Sequence, residues 1–136
     1  GPSAHGPNTN DNQYHFMPLD TEAFNTNKKY FEKVSSNKIK IFHEGYYRID
    51  MRTITHNTGG QGNHVETWLN GERLHLSHSF NMGGATEWRR HATSVVAKVE
   101  ADSDLQVRVY CENSVRSYCW HNQGAGYSRL TVMRME

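Results

Sequence analysis

The 136-residue chain has almost no excess of charge, since Lys and Arg total 15, Asp and Glu total 14, and the net charge is +1. This balance provides no field that would attract nucleic acid or an anionic membrane surface, so we expect neither partner. No apolar run approaches the roughly 20 residues that a helix needs to cross a bilayer, and no signal peptide is visible. We therefore expect no membrane insertion.

The usual signatures of catalytic and metal sites are also absent. The sequence contains no Gly-x-Ser-x-Gly, His-x-His, His-Glu-x-x-His or Cys-x-x-Cys pattern. His75 and His78 are three residues apart, which on a strand places them on opposite faces. His64 and Glu66 would share one face, but two ligands are too few for a metal site. We expect no enzyme and no metal site within one subunit.

Only two cysteines are present, Cys111 and Cys119. A hairpin centred near Val115 would place them opposite each other, and a disulfide would then close a short loop. The alternative is a pair of half-buried free thiols in a reducing compartment. We expect the disulfide.

Alternation of apolar and polar residues, by contrast, runs through most of the chain. Residues 38–41 and 47–52 alternate apolar with charged side chains on the two sides of a turn at Gly45. Because successive side chains of a strand point to opposite faces, each run predicts a strand with one buried face. Asn70-Gly71 is the strongest short signal for a hairpin. We predict about eight to ten strands, no helix and no internal repeat.

These strands predict one all-β domain, an antiparallel β-sandwich over residues 14–136. Residues 1–13 are rich in Gly, Pro, Asn, Ser and Thr without periodicity, and we interpret them as a disordered arm or an engineered linker. The apolar positions of the strands predict a core that comprises Tyr47, Ile49, Met51, Trp68, Val107, Val109, Leu130 and Val132.

Two clusters of aromatic and cationic residues are the candidates for a ligand-binding site. They are Trp88, Arg89 and Arg90 at the start of a long strand, and Tyr118, Trp120 and His121 beside a Gly-rich loop. Tryptophan beside arginine can stack on a sugar or bind an acidic partner, and aromatics at a loop edge can hold a sugar ring. The alternatives are that the first cluster packs at a subunit interface with its arginines in ion pairs, and that the second caps the core.

Several motifs occur in an order that points to a known family. They are Phe31-x-x-Val34, Ile39-x-Ile41, Gly45-Tyr46-Tyr47-Arg48-Ile49, Trp68-Leu69-Asn70-Gly71-Glu72, Ala92 to Val99, Asp104 to Val109, and Tyr127 to Val132. Their order and spacing over nearly the whole chain resemble the globular domain of the C1q/TNF-like superfamily.

This resemblance implies a jelly roll of about ten strands. It also implies a compact homotrimer that is secreted or displayed on a surface. Such domains recognise a protein receptor or a surface glycan and perform no chemistry. We therefore expect an extracellular, non-catalytic recognition domain.

The sequence departs from the family in two places. Arg129 replaces a glycine of the usual final strand. Family members that bind calcium use acidic residues of the loop before the long strand, and here residues 81–87 contain only one carboxylate, Glu87. Calcium is the one cofactor that the resemblance allows, and we expect none.

Two other functions are alternatives. The run Cys119-Trp120-His121-Asn122 is faintly similar to the last strands of H-type invertebrate lectins. The upstream pattern does not fit that family, and the first alternative is a carbohydrate-binding lectin of another β-sandwich family. The chain could also be a structural trimerisation cap of a fibrous stalk, joined through its Gly- and Pro-bearing N-terminus.

Overall fold

A computed structural model of the chain describes residues 14–17, 19, 29–57, 62–80, 87–111, 120–121 and 129–135. The strands in these residues are β1 (Tyr14–Phe16), β2 (Phe31–Ser35), β3 (Lys38–Ile41), β4 (Gly45–Asn57), β5 (Gly62–Leu69), β6 (Glu72–Phe80), β7 (Glu87–Val99), β8 (Ser103–Cys111), β9 (Trp120–His121) and β10 (Arg129–Met135). Within the described ranges no helix is long and apolar enough to cross a membrane.

The strands form two antiparallel sheets. The six-stranded sheet has the order β2-β3-β8-β5-β6, and β1 pairs with β8 beside β3. The four-stranded sheet has the order β10-β4-β7, and β9 pairs with β4 beyond the end of β10. The prediction of an antiparallel all-β fold is confirmed, and side chains of both sheets meet in a core as in a β-sandwich.

The turn between β3 and β4 carries the chain from one sheet to the other. β3 pairs with β2 and β8, whereas β4 pairs with β7 and β10. Residues 42–44 make this crossing, after which Gly45 begins β4. The two alternating runs on either side of Gly45 are therefore strands, as predicted, and they belong to different sheets.

The β5–β6 connection is the hairpin that Asn70-Gly71 predicts. Asn70 has φ of 52° and Gly71 has φ of 78°, the left-handed values that a two-residue hairpin of this type requires. The Asn70 side chain also fixes the hairpin to the start of β8: its Oδ1 accepts from the Asp104 N–H at 2.8 Å, and its Nδ2 donates to Ser103 Oγ at 3.0 Å.

The core lies between the two sheets and contains most of the residues that the sequence predicts for it. Tyr47, Ile49, Met51, Val107 and Val109 are buried, and the half-buried Leu130 and Val132 pack against them.

Trp68 was also expected in the core, but it lies half-buried on the outer face of the six-stranded sheet. The pairing of β5 with β6 shifts its register between Thr67 and Trp68, directly before this tryptophan. There the Trp68 ring stacks on Arg108.

Candidate recognition site

A row of charged side chains runs along β4 on the outer face of the four-stranded sheet. The odd-numbered residues of β4 from 47 to 55 are buried. The alternate residues Arg48, Asp50 and Arg52 therefore point away from the core. The same alternation that builds the core thus places three charges on one outer surface.

The strands on either side of β4 complete this surface. Thr131 and Ser94 both pair with Asp50, while Arg129 and Ala92 both pair with Arg52. The side chains contributed by β7 are small, and an open groove of about 380 Å³ lies over the three strands. We call it the arginine groove; it is lined by Arg48, Asp50, Met51, Arg52, Ala92, Thr93, Ser94, Arg129 and Thr131.

The one carboxylate of the groove already has two partners. Ser94 Oγ donates to Asp50 Oδ1, and Arg48 Nε donates to the same oxygen at 3.1 Å. The hydrogen bond from Ser94, with a smaller contribution from Arg48, lowers the pKa of Asp50 below its ordinary value, against the opposing effect of burial. Asp50 is therefore ionised at neutral pH, and its charge balances Arg48.

The other two arginines of the groove face each other without a carboxylate. Arg52 and Arg129 are directly opposite on β4 and β10, and both are exposed. Among the described residues, no carboxylate oxygen lies within 4 Å of either guanidinium group. Like charges directly opposite on neighbouring strands destabilise a sheet. The groove therefore has an excess of positive charge that the described part of the fold does not neutralise.

The two ligand-binding clusters that the sequence predicts come together at the next rows of the same sheet. Arg90 on β7 and His121 on β9 both pair with Ile54 of β4, from its two sides. One residue further along, Arg89 and Trp120 both pair with Thr55. Residues about thirty positions apart in the sequence are thus neighbours across one strand, adjoining the arginine groove.

The side-chain positions of most of these candidates lie outside what the structure describes. Arg90 is described and exposed. For Trp88, Arg89, Trp120 and His121 the structure describes only the strand positions, and Tyr118 lies outside the described residues. Three further predictions also concern parts that the structure does not describe. They are the Cys111–Cys119 disulfide, the arm over residues 1–13, and residues 81–86 of the loop considered for calcium.

The other half of the same outer face, which we call the apolar half, is mainly apolar. Tyr46, Val96, Met133 and Met135 are 57%, 54%, 50% and 40% exposed. Their register places them in two adjacent rows, each of which also contains one cation: Lys98 is opposite Tyr46, and Arg48 lies between Met133 and Val96. Tyr46 and Arg52 are six residues apart, which is about 20 Å along an extended strand. One sheet face therefore has an apolar half and a cationic half.

The outer face of the six-stranded sheet holds a second group of rings and charges. The Arg108 guanidinium lies between two rings, 3.7 Å from the centroid of Tyr14 and 3.8 Å from that of Trp68. Its Nε and Nη2 atoms donate to Glu66 Oε1 at 3.2 and 2.9 Å. Tyr14 also stacks against Tyr110, with ring centroids 4.9 Å apart. We call Tyr14, Glu66, Trp68, Arg108 and Tyr110 the Arg108 cluster.

The Arg108 cluster attaches β1 to the six-stranded sheet. Glu66 is only 1% exposed, and its carboxylate contacts Arg108 and also Arg73, whose Nη1 lies 3.6 Å from Oε2. Both faces of the Arg108 guanidinium are covered by rings, and its donors point to a buried acceptor. Because all these contacts are within the protein, we assign Arg108 a structural role. Arg52 and Arg129 of the other sheet are, by contrast, exposed.

A buried histidine links the two sheets near the end of the sandwich. His91 of β7 is 1% exposed, and its Nε2 lies 2.8 Å from Thr55 Oγ1 while its Nδ1 lies 2.7 Å from Ser77 Oγ. In a neutral imidazole one ring nitrogen donates and the other accepts, so two hydroxyl groups satisfy the ring. This arrangement is a polar bridge inside the core.

Comparison with known proteins finds no family model that matches this chain and no curated protein with significant sequence similarity. Among the described residues, no group of three or more His, Cys, Asp or Glu side chains is placed to hold a metal ion. The candidate site is therefore defined by its geometry, and by the charge excess of the arginine groove in particular.

Proposed function

We propose that this chain is an extracellular, non-catalytic recognition domain of C1q/TNF-like architecture that acts as a homotrimer. Its ligand is a protein receptor or a surface glycan, bound at the arginine groove and the adjoining row of Arg90 and His121. The observation that carries this proposal is the pair of exposed arginines, Arg52 and Arg129, that face each other with no carboxylate within 4 Å in the described part of the chain.

The connectivity of the strands supports the jelly-roll part of the proposal. Strands β3, β5, β6 and β8 belong to the six-stranded sheet, and β4, β7 and β9 belong to the four-stranded sheet. Each connection from β3 to β9 therefore changes sheet, except the β5–β6 hairpin. Repeated crossing between two packed antiparallel sheets is typical of jelly rolls, which contain two Greek keys.

The apolar half of the four-stranded sheet supports the homotrimer. Four large apolar side chains, Tyr46, Val96, Met133 and Met135, are 40–57% exposed in adjacent rows of one face. A concentration of exposed apolar side chains on one face marks a surface that becomes buried against a partner. A subunit contact there leaves the cationic half of the face for ligands, and three copies of the groove add avidity.

The position of the His91 imidazole supports a non-catalytic role. Ser77 and Thr55 both contact His91, as a nucleophile would contact its base. His91 is 1% exposed and both ring nitrogens are engaged by hydroxyl groups, so the ring serves the core.

Binding of fluorescently labelled protein to cultured cells and to a glycan array tests the proposal. We expect dose-dependent binding, which Arg52→Glu weakens at least tenfold because it reverses the charge in the groove. Lys29→Glu is the matched control, since it makes the same change in net charge at an exposed lysine in the turn before β2. Its binding should equal that of the wild type.

Two outcomes would contradict the proposal. Absence of binding to every cell type and glycan would leave the structural cap as the better account. Equal weakening by Arg52→Glu and Lys29→Glu would show that net charge, and not the groove, governs binding. Circular dichroism of each variant should match the wild type, because both side chains are exposed.

A further inference from the structure

We propose that the arginine groove binds the sulfate or carboxylate groups of an acidic polysaccharide. This inference rests on the recognition function proposed above and specifies the chemical class of its ligand. It follows from three properties of the groove: two guanidinium groups with no carboxylate partner among the described residues, a position over the fully paired strand β4, and a polar lining.

The guanidinium groups of Arg52 and Arg129 are suited to oxyanions. Guanidinium is planar and always charged, and its N–H groups match the two oxygens of a carboxylate or two oxygens of a sulfate. Directly opposite positions on β4 and β10 place the two groups on one surface. An anion between them would relieve the repulsion that the described fold leaves in place.

The position of the groove argues against an extended peptide as the ligand. Peptides commonly add a strand to the free edge of a sheet. Here the groove lies over β4, whose two edges are already paired with β7 on one side and with β10 and β9 on the other. Among the described strands, a peptide could pair only with the outer edge of β7 or of β10, where it would lie beside the groove and not over Arg48 and Arg52.

The lining argues against an amphipathic helix or a proline-rich segment. Such ligands need an apolar or an aromatic groove. The arginine groove instead has three arginines and one aspartate, with the hydroxyl groups of Ser94 and Thr131 between them. The Thr131 hydroxyl can donate to an anion of an acidic sugar, while the Ser94 oxygen, whose proton is donated to Asp50, can accept from a sugar hydroxyl.

The length of the groove fits a polymer with repeated anions. Arg48 and Arg52 are on the same face of β4 and four residues apart, which is about 13 Å along a strand. Arg90 extends the cationic row by one more outward position, beside Ile54. An extended chain with regularly spaced charges can contact both ends of this row, whereas one isolated anion contacts one end.

Titration of the protein with heparin oligosaccharides, chemically desulfated heparin and poly-L-glutamate at several salt concentrations tests the inference. We expect heparin to bind with an affinity that falls as salt rises. Arg129→Glu should weaken binding at least tenfold and lower the slope of log K against log salt by about one. Arg129→Lys keeps the charge without the planar fork, and should weaken binding about threefold. Lys29→Glu should leave the affinity and the slope unchanged.

The anionic probes separate the two sources of oxyanion. Binding of heparin alone assigns the groove to sulfate groups, and comparable binding of desulfated heparin assigns it to carboxylates. Poly-L-glutamate that binds as tightly as heparin would overturn the inference, and so would equal weakening by Arg129→Glu and Lys29→Glu. Cell binding that depends on Arg52, without any polysaccharide binding, would overturn this inference and leave the recognition function intact.

Discussion

Replacing Arg108 with leucine is expected to lower the free energy of unfolding by about 3–5 kcal/mol, which is the usual effect of breaking a buried ion pair. Glu66 is 1% exposed and would lose both of its hydrogen bonds from Arg108. Arg73 compensates only in part, because its nearest donor is 3.6 Å away and its side chain is 53% exposed. Chemical denaturation of wild type and variant measures the change.

Arg48→Leu is the matched control for this prediction. Arg48 contacts Asp50 at 3.1 Å, close to the 3.2 Å between Arg108 Nε and Glu66, but its side chain is 50% exposed. Exposed pairs contribute about 0–1 kcal/mol, so this variant should be nearly as stable as the wild type. The double variant Arg108→Leu/Glu66→Leu should recover part of the loss. Equal losses for Arg108→Leu and Arg48→Leu would contradict the assigned role of the buried pair.

Replacing Ile49 with alanine is expected to lower the free energy of unfolding by about 2–5 kcal/mol, the usual range for such truncations in a core. Ile49 is fully buried in the cluster that joins Ile41 and Leu105 of one sheet to Tyr47 and Val99 of the other. The substitution removes buried methyl groups and leaves a cavity between the sheets. Thermal or urea unfolding measures the loss.

Val34→Ala serves as the control for Ile49→Ala. It removes methyl groups from a position of β2 that is 49% exposed. Its effect on the free energy of unfolding should stay within about 0.5 kcal/mol. A large loss for Val34→Ala and a small one for Ile49→Ala would contradict the placement of Ile49 in the core and of Val34 at the surface.

Alternation was sufficient to predict the strands because it reports local burial. It predicts which residues of β4 and β8 face inward, and Asn70-Gly71 predicts the hairpin with its left-handed dihedrals. It carries no information about pairing partners. The assignment of β3 and β4 to different sheets depends on contacts with β8 and β7, which follow much later in the chain.

Trp68 shows a further limit of the sequence pattern. A tryptophan before a hairpin suggests a core residue, yet this ring lies on the outer face against Arg108. Its environment depends on an arginine forty positions away in the sequence, on a neighbouring strand. By contrast, His64 and Glu66 lie on one face as predicted, because that prediction needs only the period of a single strand.

The arginine groove could be predicted only in part. The sequence shows that Arg48, Asp50 and Arg52 share the solvent face of one strand, and it contains Arg129 as a departure from a family pattern. It does not show that Arg129 is opposite Arg52, since that requires the register of β10 on β4. It likewise does not show that Arg90 and His121 flank the same residue of β4.

The molar mass in solution tests most directly the central claim that this is a self-assembling recognition domain. Size-exclusion chromatography with light scattering at low micromolar concentration should give about three times the 15.7 kDa of one chain. Val96→Glu, which places a charge in the apolar half of the four-stranded sheet, should give a folded single chain. A wild-type mass of one chain would contradict the homotrimer and favour a solitary lectin-like sandwich.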